Sequence, residues 1–371
     1  MDKQRSIFLT GVTGTLGKEI LKTLLTTTDA KLFLLIRRKN RFSHWDRARK
    51  ILSAFHLENF LGTRIQVMQG DVTFPELGLN ADDFEILRSQ VREFYHIAAL
   101  TALNGSREEC FSTNLGGTEE ALKVAKKLKA TGRLERFFYF STAFVAGSLQ
   151  TFCSAEDELP LRPAHANHYE ASKFQAETKV RDAMKEGLAA TIFRPSIVVG
   201  NSETGEVSEF NVIYPFLRLF AHGVLTRLPT RLENSFNIVP IDFVVKASLA
   251  IASQKASVGK TFHLVTENPP TMEMLLRLHQ EQYPGSPPIE VIDPNLFQKE
   301  KLDPSEEFVF DMMKPYLGYL NERLTFDTTN TRKALQGTGI PFPVTDYAFL
   351  QRLCRYAVDA GYFVSASSSP R

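Results

Sequence analysis

Thr10-Gly11-Val12-Thr13-Gly14-Thr15-Leu16-Gly17 stands between an apolar run that starts at Ser6 and a stretch, Leu16 to Leu25, with apolar residues at three- and four-residue spacing. The order strand, glycine turn, helix decides how the rest of the chain is read. Glycines at 11, 14 and 17 let the backbone bend tightly and approach a ligand closely. The helix that follows offers free N–H groups and a positive dipole end to an anion. The same glycine spacing without a strand before it would mark an ordinary turn. In this position it predicts a diphosphate-binding turn built from Gly11, Thr13, Gly14, Thr15, Leu16 and Gly17.

Outward from that turn, apolar runs bounded by turn residues alternate with helical periodicity, the βαβ signal of a parallel sheet. Strands are expected near Ser6 to Leu9, Lys31 to Ile36, Arg64 to Gln69, Glu93 to Ile97, Arg136 to Ser141 and Ala190 to Phe193. The strongest helices are Leu16 to Leu25, Asn114 to Ala130 and Tyr169 to Lys185. After Gly200 prolines and aromatics become frequent and the alternation breaks. Phe236 to Val244, an Ala-rich helix and Thr261 to Val265 then resemble a return to the first sheet. The expected fold is α/β, a doubly wound parallel Rossmann sheet with a smaller, interleaved C-terminal substrate-binding domain. Residues 1–200 and about 236–268 form the first unit, about 201–235 and 269–364 the second, and 365–371 a flexible tail.

Bulk properties narrow the class. A chain of 371 residues with 43% hydrophobic and 23% charged residues is that of an ordinary globular protein. Its 44 Lys and Arg against 42 Asp and Glu leave a net charge of +2, too balanced to imply a nucleic-acid partner. Cys110, Cys153 and Cys354 are far apart and lack metal-ligand spacing, so no metal is expected and the thiols suit a reducing compartment. With a strand expected from Ser6, no leader is expected, and the most apolar runs, Phe137 to Gly147 and Ile192 to Gly200, are too short to span a bilayer. A soluble, cytoplasmic protein is the expectation.

Choice of cofactor should be decided at the end of the second strand, where an acid would bind ribose hydroxyls. The strand ends Ile36-Arg37-Arg38-Lys39 instead. A guanidinium pairs bidentately with a 2′-phosphate and stacks on adenine, so NADP(H) is favoured over NAD(H), with Arg37 the first candidate, Arg38 the second and Arg47 within reach. The competing reading is a solvated basic turn. Asp71 and Val72, after the third strand, suit the adenine, and Ala98, Ala99 and Leu100, after the fourth, are placed to pass beside the ribose and diphosphate.

Tyr169 and Lys173 stand four residues apart on one helix face. An ammonium beside a phenol lowers its pKa and prepares it for proton exchange near neutral pH. Thr142, after the fifth strand, supplies a hydroxyl to hold a carbonyl oxygen. A lone pair of this spacing ordinarily means a solvent-facing tyrosine; the glycine turn, the hydroxyl and the order along the chain make the set specific. His96, His165 and His168 read as packing or surface residues, and Trp45 as packed within an Arg-rich helix.

In these residues the chain resembles the extended short-chain dehydrogenase/reductase superfamily, over nearly its whole length. The resemblance places the family's Ser/Thr, Tyr and Lys on Thr142, Tyr169 and Lys173, and its structural asparagine on Asn114 of Asn114-Leu115-Gly116-Gly117-Thr118. It also implies that Arg194 to Gly200, with Pro195, Ser196, Ile197 and Val198, lines the nicotinamide side. Gly70-Asp71-Val72-Thr73 with Leu77-Gly78-Leu79, Ser141-Thr142-Ala143 with Gly147, and Val239-Pro240-Ile241-Asp242 are similar to the thioester reductase and fatty acyl-CoA reductase branch. That likeness implies reduction of an acyl thioester, or of the derived aldehyde or ketone, presented by CoA or an acyl carrier protein. Phe210 to Phe220 with Phe308 to Tyr319 are candidates for an acyl pocket, or simply for the core of the smaller domain. Two other readings stand beside it. A nucleotide-sugar epimerase, dehydratase or hydroxysteroid-type dehydrogenase shares the scaffold, although an epimerase would prefer an acid where Arg37 stands. A regulatory binding protein would have no need of Thr142, Tyr169 and Lys173 together.

Overall fold

The computed structural model describes residues 5–147, 153–161, 163–210, 213–221, 226–285, 288–299, 302–321 and 324–363; the tail expected at 365–371 lies outside them. Seven strands form one sheet: β1 (Ser6–Thr10), β2 (Lys31–Ile36), β3 (Ile65–Gln69), β4 (Glu93–His96), β5 (Arg136–Phe140), β6 (Ala190–Pro195) and β7 (Thr261–Leu264). Their order is β7-β6-β5-β4-β1-β2-β3 and every pairing is parallel. Each strand lies within a few residues of its expected place.

Alternate residues of the inner strands serve two cores. Ile7, Leu9, Leu32, Leu34 and Ile36 pack with Ile20 and Leu24 of α1 (Thr15–Thr27), Ile51 of α2 (His44–Ser53) and Val244 and Ile251 of the helix Ile241–Ala252. Phe8, Phe33 and Leu35 face the opposite way, onto Leu87 of α3 (Ala81–Gln90), Leu122 of α4 (Gly117–Ala130) and Val180 of α5 (His168–Lys185). Helices on both faces explain why the strands read as continuous apolar runs.

The helix expected from Asn114 begins instead at Gly117, after a wider turn over Phe111–Gly116. Helix α2 starts with a capping box, Ser43 with Asp46, and leaves Trp45 40% exposed rather than packed. Beyond Gly200, helices α6 (Ile241–Ala252), α7 (Met272–Gln282), α8 (Pro304–Asn321) and α9 (Tyr347–Asp359) follow, with Ile213–Ala221 before them. A separate apolar cluster joins Tyr214, Leu217, Leu275, Met313, Tyr319 and Phe349 to Phe144. Between its contributions the chain returns: Ile238–Pro240 pairs with Ile197–Val199, and β7 adds to β6.

Behind β6 the Arg194 guanidinium is fully buried and bonds Glu177 at 2.7 Å and the carbonyls of Ala155 and Glu158. Arg194 therefore belongs to the scaffold, not to the cavity at the strand ends. Glu177 also pairs with Arg181 at 2.9 Å, so it is the loss of Glu177 that would strand a charge, the Arg194 guanidinium, in the interior, at a cost of about 3–5 kcal/mol. Among the described residues no helix is long and apolar enough to cross a membrane, and no group of His, Cys, Asp and Glu is set to hold a metal.

Candidate active site

Strand order reverses between β1 and β4, and a crevice opens at the carboxyl ends of the strands on either side of such a switch point. Here it is a continuous cavity of about 730 Å³. Thr10 of β1 lies in register with His96 of β4, which brings Gly11 beside Ala98. At Gly11, φ is +78° and a Cβ would meet the Ala98 nitrogen at 2.4 Å. A Cβ on Gly17 would meet the Gly11 carbonyl oxygen at 2.2 Å, whereas one on Gly14 would meet nothing closer than 3.5 Å. Gly14 caps α1 without a side chain, so the first helical N–H groups are left for a ligand. Thr13, Thr15 and Leu16 share this wall, and the buried Thr15 hydroxyl lacks a partner among the described residues.

At one end, Arg37, Lys39, Arg47, Asp71 and Val72 line the cavity. Arg47 donates to the Arg37 carbonyl at 2.6 Å, and Arg37 lies 3.4 Å from Asp71. Burial, then the Arg37 charge, disfavours the Arg47 cation, a cost that a bound anion would offset. Arg38, the second candidate, is exposed and does not line the cavity. Arg37 and Lys39 are exposed as well, and border the cavity at its rim. Lys39 is the basic residue of this turn that the sequence did not mark for the 2′-phosphate.

Ala98, Ala99 and Leu100 form the middle of the wall. Asn114 clamps them from behind: its Oδ1 accepts from the Leu100 N–H at 2.7 Å, and its Nδ2 donates to the Leu100 carbonyl at 3.0 Å and to Ser172 at 2.9 Å. All its hydrogen-bonding groups are engaged away from the cavity, so Asn114 positions the loop and α5 rather than reaching a ligand. His96 is likewise internal, bonded to Thr10 at 2.8 Å, with burial pushing its pKa down to about 3. His165 is half-buried against the Val145 carbonyl and His168 is exposed.

The far end holds Thr142, Tyr169, Lys173, Pro195, Ser196, Ile197 and Val198. Lys173 is buried; its Nζ donates to the Phe140 carbonyl at 2.7 Å and lies 4.3 Å from the Tyr139 ring centre. Desolvation brings its pKa down to about 7, against the opposing pull of Glu177. The Tyr169 phenol is raised, not lowered: burial pushes it to about 12, with a Thr142 hydrogen bond acting the other way. The expected acidification by Lys173 is therefore not a property of the free protein. Ser196 Oγ is buried without a partner among the described residues. The bare glycine turn, the cations that line one end and these orphaned hydroxyls fit a dinucleotide along the cavity.

Phe144, Val207, Glu209, Pro215, Tyr316 and Tyr319 complete this end; Val207 and Glu209 lie outside every segment that the sequence marked. Glu209 pairs with Lys18 of α1 at 2.8 Å. Of the expected acyl wall, Pro215, Tyr316 and Tyr319 face the cavity, Tyr214 and Leu217 belong to the second core, and Phe308 is 67% exposed. Residues 211–212 of that segment lie outside the described residues.

Sheet order, switch-point turn and the Thr-Tyr-Lys set define an extended short-chain dehydrogenase/reductase, a class of NAD(P)-dependent oxidoreductases. The chain belongs within it to the NAD-binding family named for the male sterility protein, whose family model matches residues 9–248. The non-canonical nonribosomal peptide synthetase cpsA of Aspergillus campestris is 29% identical over 70% of the chain and 25% of its own length. The fatty acyl-CoA reductase wat of Drosophila melanogaster is 28% identical over 67% of the chain and 54% of its own length. The chain thus spans about half of the second relative and a smaller part of the first. Among solved structures, the terminal R domain of the myxalamid PKS-NRPS biosynthetic pathway is 27% identical, with a TM-score of 0.83 over 98% of this chain and 93% of that one. A UDP-glucuronic acid 4-epimerase from Bacillus cereus shares the fold at 14% identity and a TM-score of 0.67 over 96% of this chain and 99% of that one.

Proposed function

We propose that this protein is an NADPH-dependent reductase of an acyl thioester, or of the derived aldehyde or ketone. The observation that carries the reading is one continuous cavity with Arg37, Lys39 and Arg47 at one end, a bare glycine turn beside it, and Thr142, Tyr169 and Lys173 at the other. The turn at Gly11, Gly14 and Gly17 with the start of α1 would hold the diphosphate, and Arg37, Lys39 and Arg47 the 2′-phosphate. Asp71 and Val72 would take the adenine, Ala98 to Leu100 the ribose side, and Pro195 to Val198 the nicotinamide. NADPH, when bound, supplies hydride to the carbonyl carbon.

The chain's own residues handle the oxygen. Thr142 Oγ accepts from the Phe144 N–H at 3.3 Å and donates its one proton to the Pro195 carbonyl at 3.5 Å, a long bond that the hydroxyl would exchange for one to the carbonyl oxygen of a substrate. With a phenol near 12, Tyr169 stays protonated at neutral pH and gives its proton as the oxygen becomes basic. An amine near 7 is half charged at neutrality; an anionic cofactor in the same cavity favours the ammonium, and the ammonium eases departure of the phenolic proton.

Similarity to peptide synthetases and fatty acyl-CoA reductases supports a thioester presented by CoA or a carrier protein. We assign residues 1–200 and about 236–268 to cofactor binding, and about 201–235 and 269–364 to the substrate. The test follows NADPH and NADH absorbance against acyl-CoA, aldehyde, ketone and UDP-sugar substrates. Oxidation of NADPH by an acyl or carbonyl substrate is expected; turnover confined to UDP-sugars would overturn the reading.

A further inference from the structure

Tyr319, near the end of α8, touches three parts of the reaction end at once. Its hydroxyl donates to Glu170 Oε1 at 2.5 Å and accepts from Asn167 Nδ2 at 3.0 Å. Its ring meets Phe144 edge-on, 4.7 Å between centres, and Phe144 follows Thr142 by two residues. Glu170 adjoins Tyr169, and Asn167 is the residue that caps α5, its Oδ1 accepting from the Glu170 N–H at 3.0 Å. The second Glu170 oxygen accepts from the Ala166 N–H at 2.9 Å. Glu170 is 1% exposed, so this carboxyl is committed to holding the first turn of α5 and has no contact with solvent to offset the loss of a partner.

We propose that Tyr319 is a positioning residue for Tyr169: through Glu170 and Asn167 it ties α8 to the first turn of α5 and so fixes the proton donor against Thr142. The inference rests on the reductase reading and adds to it a link between the substrate-side helix and the proton donor. The charge at Glu170 also bears on the phenol. The groups facing Tyr169 from the elements packed around it are Glu170 on its own helix, Cys110 from the short helix Arg107–Cys110, Tyr139 of β5, Tyr319 of α8 and the Thr142 hydroxyl, with Lys173 one turn along. Of these, Glu170 is the one carboxyl, and a negative charge there holds the phenol's proton more tightly.

Tyr319→Phe keeps the ring on Phe144 and removes only the hydroxyl. It should lower kcat about tenfold with both KM values within about twofold, because misplacing a bound acid slows the proton transfer without weakening binding. Glu170→Gln removes the charge and one of the two accepting oxygens; kcat should fall, and its alkaline limb should move to lower pH. Glu170→Ala combined with Tyr319→Phe should lose no more than the larger single loss, the sign of one coupled unit. Wild-type kcat in Tyr319→Phe, or additive losses, would overturn the proposal. Amide exchange at Glu170 and Ala171 provides an arm independent of turnover: it should quicken in Tyr319→Phe and stay unchanged around Gly14. If the wild type turns over no substrate of the panel, the reductase reading fails alone, and unchanged exchange at Glu170 and Ala171 is then what removes the coupling.

Discussion

Lys173 Nζ donates a 2.7 Å hydrogen bond to the carbonyl of Phe140, the last residue of β5. Lys173 lies one helical turn after Tyr169, and Phe140 two residues before Thr142. A single bond therefore joins the helix that carries the phenol to the strand that delivers the hydroxyl. The cost is an amine buried without a carboxylate bonded to it, and that cost is the cause of its low pKa.

That cost should be visible in stability. The folded amine titrates near 7 and the unfolded one near 10.5. Below pH 7 both states hold the proton and the folded state bears the buried ammonium. Between these values the unfolded chain binds a proton that the folded one does not, so stability rises with pH. The difference in Tm between wild type and Lys173→Met, measured by calorimetry without cofactor, should move in favour of wild type from about pH 6 to about pH 9. Parallel curves would show that the amine is not depressed.

Tyr169→Phe should leave the fold and NADPH binding intact, since the ring remains and only the hydroxyl is lost. Turnover should fall by about 10³-fold, within the range of a lost general acid. Fluorescence titration of NADPH, unchanged within about threefold, separates this from a failure of binding.

The sheet was legible because its strands are buried on both faces and punctuated by glycine and polar turns, a local signal. The Thr-Tyr-Lys set was legible for the same reason, being read from strand ends and one helix. What escaped the sequence is non-local. Tyr319 meets Glu170 across 149 positions, and Glu156 meets Thr331 across 175. Neither partner carries a mark in its own neighbourhood. Asn114 was recognisable as a member of the set, but its task, clamping Leu100 to Ser172, needed the fold. The raised phenol of Tyr169 escaped too, because burial outweighs a neighbour four residues away.

Cofactor preference should divide the basic turn residue by residue. Arg37→Ala and Arg47→Ala should each weaken NADPH about tenfold or more while changing NADH little, because both face the cavity. Arg38→Ala should leave both affinities within about twofold, since Arg38 does not line the cavity. Calorimetric titration of the four proteins with both cofactors is the check. An Arg38 effect equal to that of Arg37 would place the 2′-phosphate outside the cavity wall.

The glycine turn allows a sharper separation of folding from binding. A Cβ at Gly17 would overlap the Gly11 carbonyl at 2.2 Å, and one at Gly11 would both strike Ala98 at 2.4 Å and require an alanine at φ +78°. Both obstacles are backbone, which cannot rotate away, so Gly11→Ala and Gly17→Ala should lose several degrees of Tm or fail to accumulate as folded protein. At Gly14 the nearest atom would be 3.5 Å away, an ordinary contact, so Gly14→Ala should melt with the wild type. Its new methyl would stand where the diphosphate must approach the first N–H groups of α1, so NADPH binding should weaken at least about tenfold. Gly14→Ala with normal Tm and normal NADPH affinity would mean that the diphosphate lies elsewhere, and the reductase reading would lose its cofactor site.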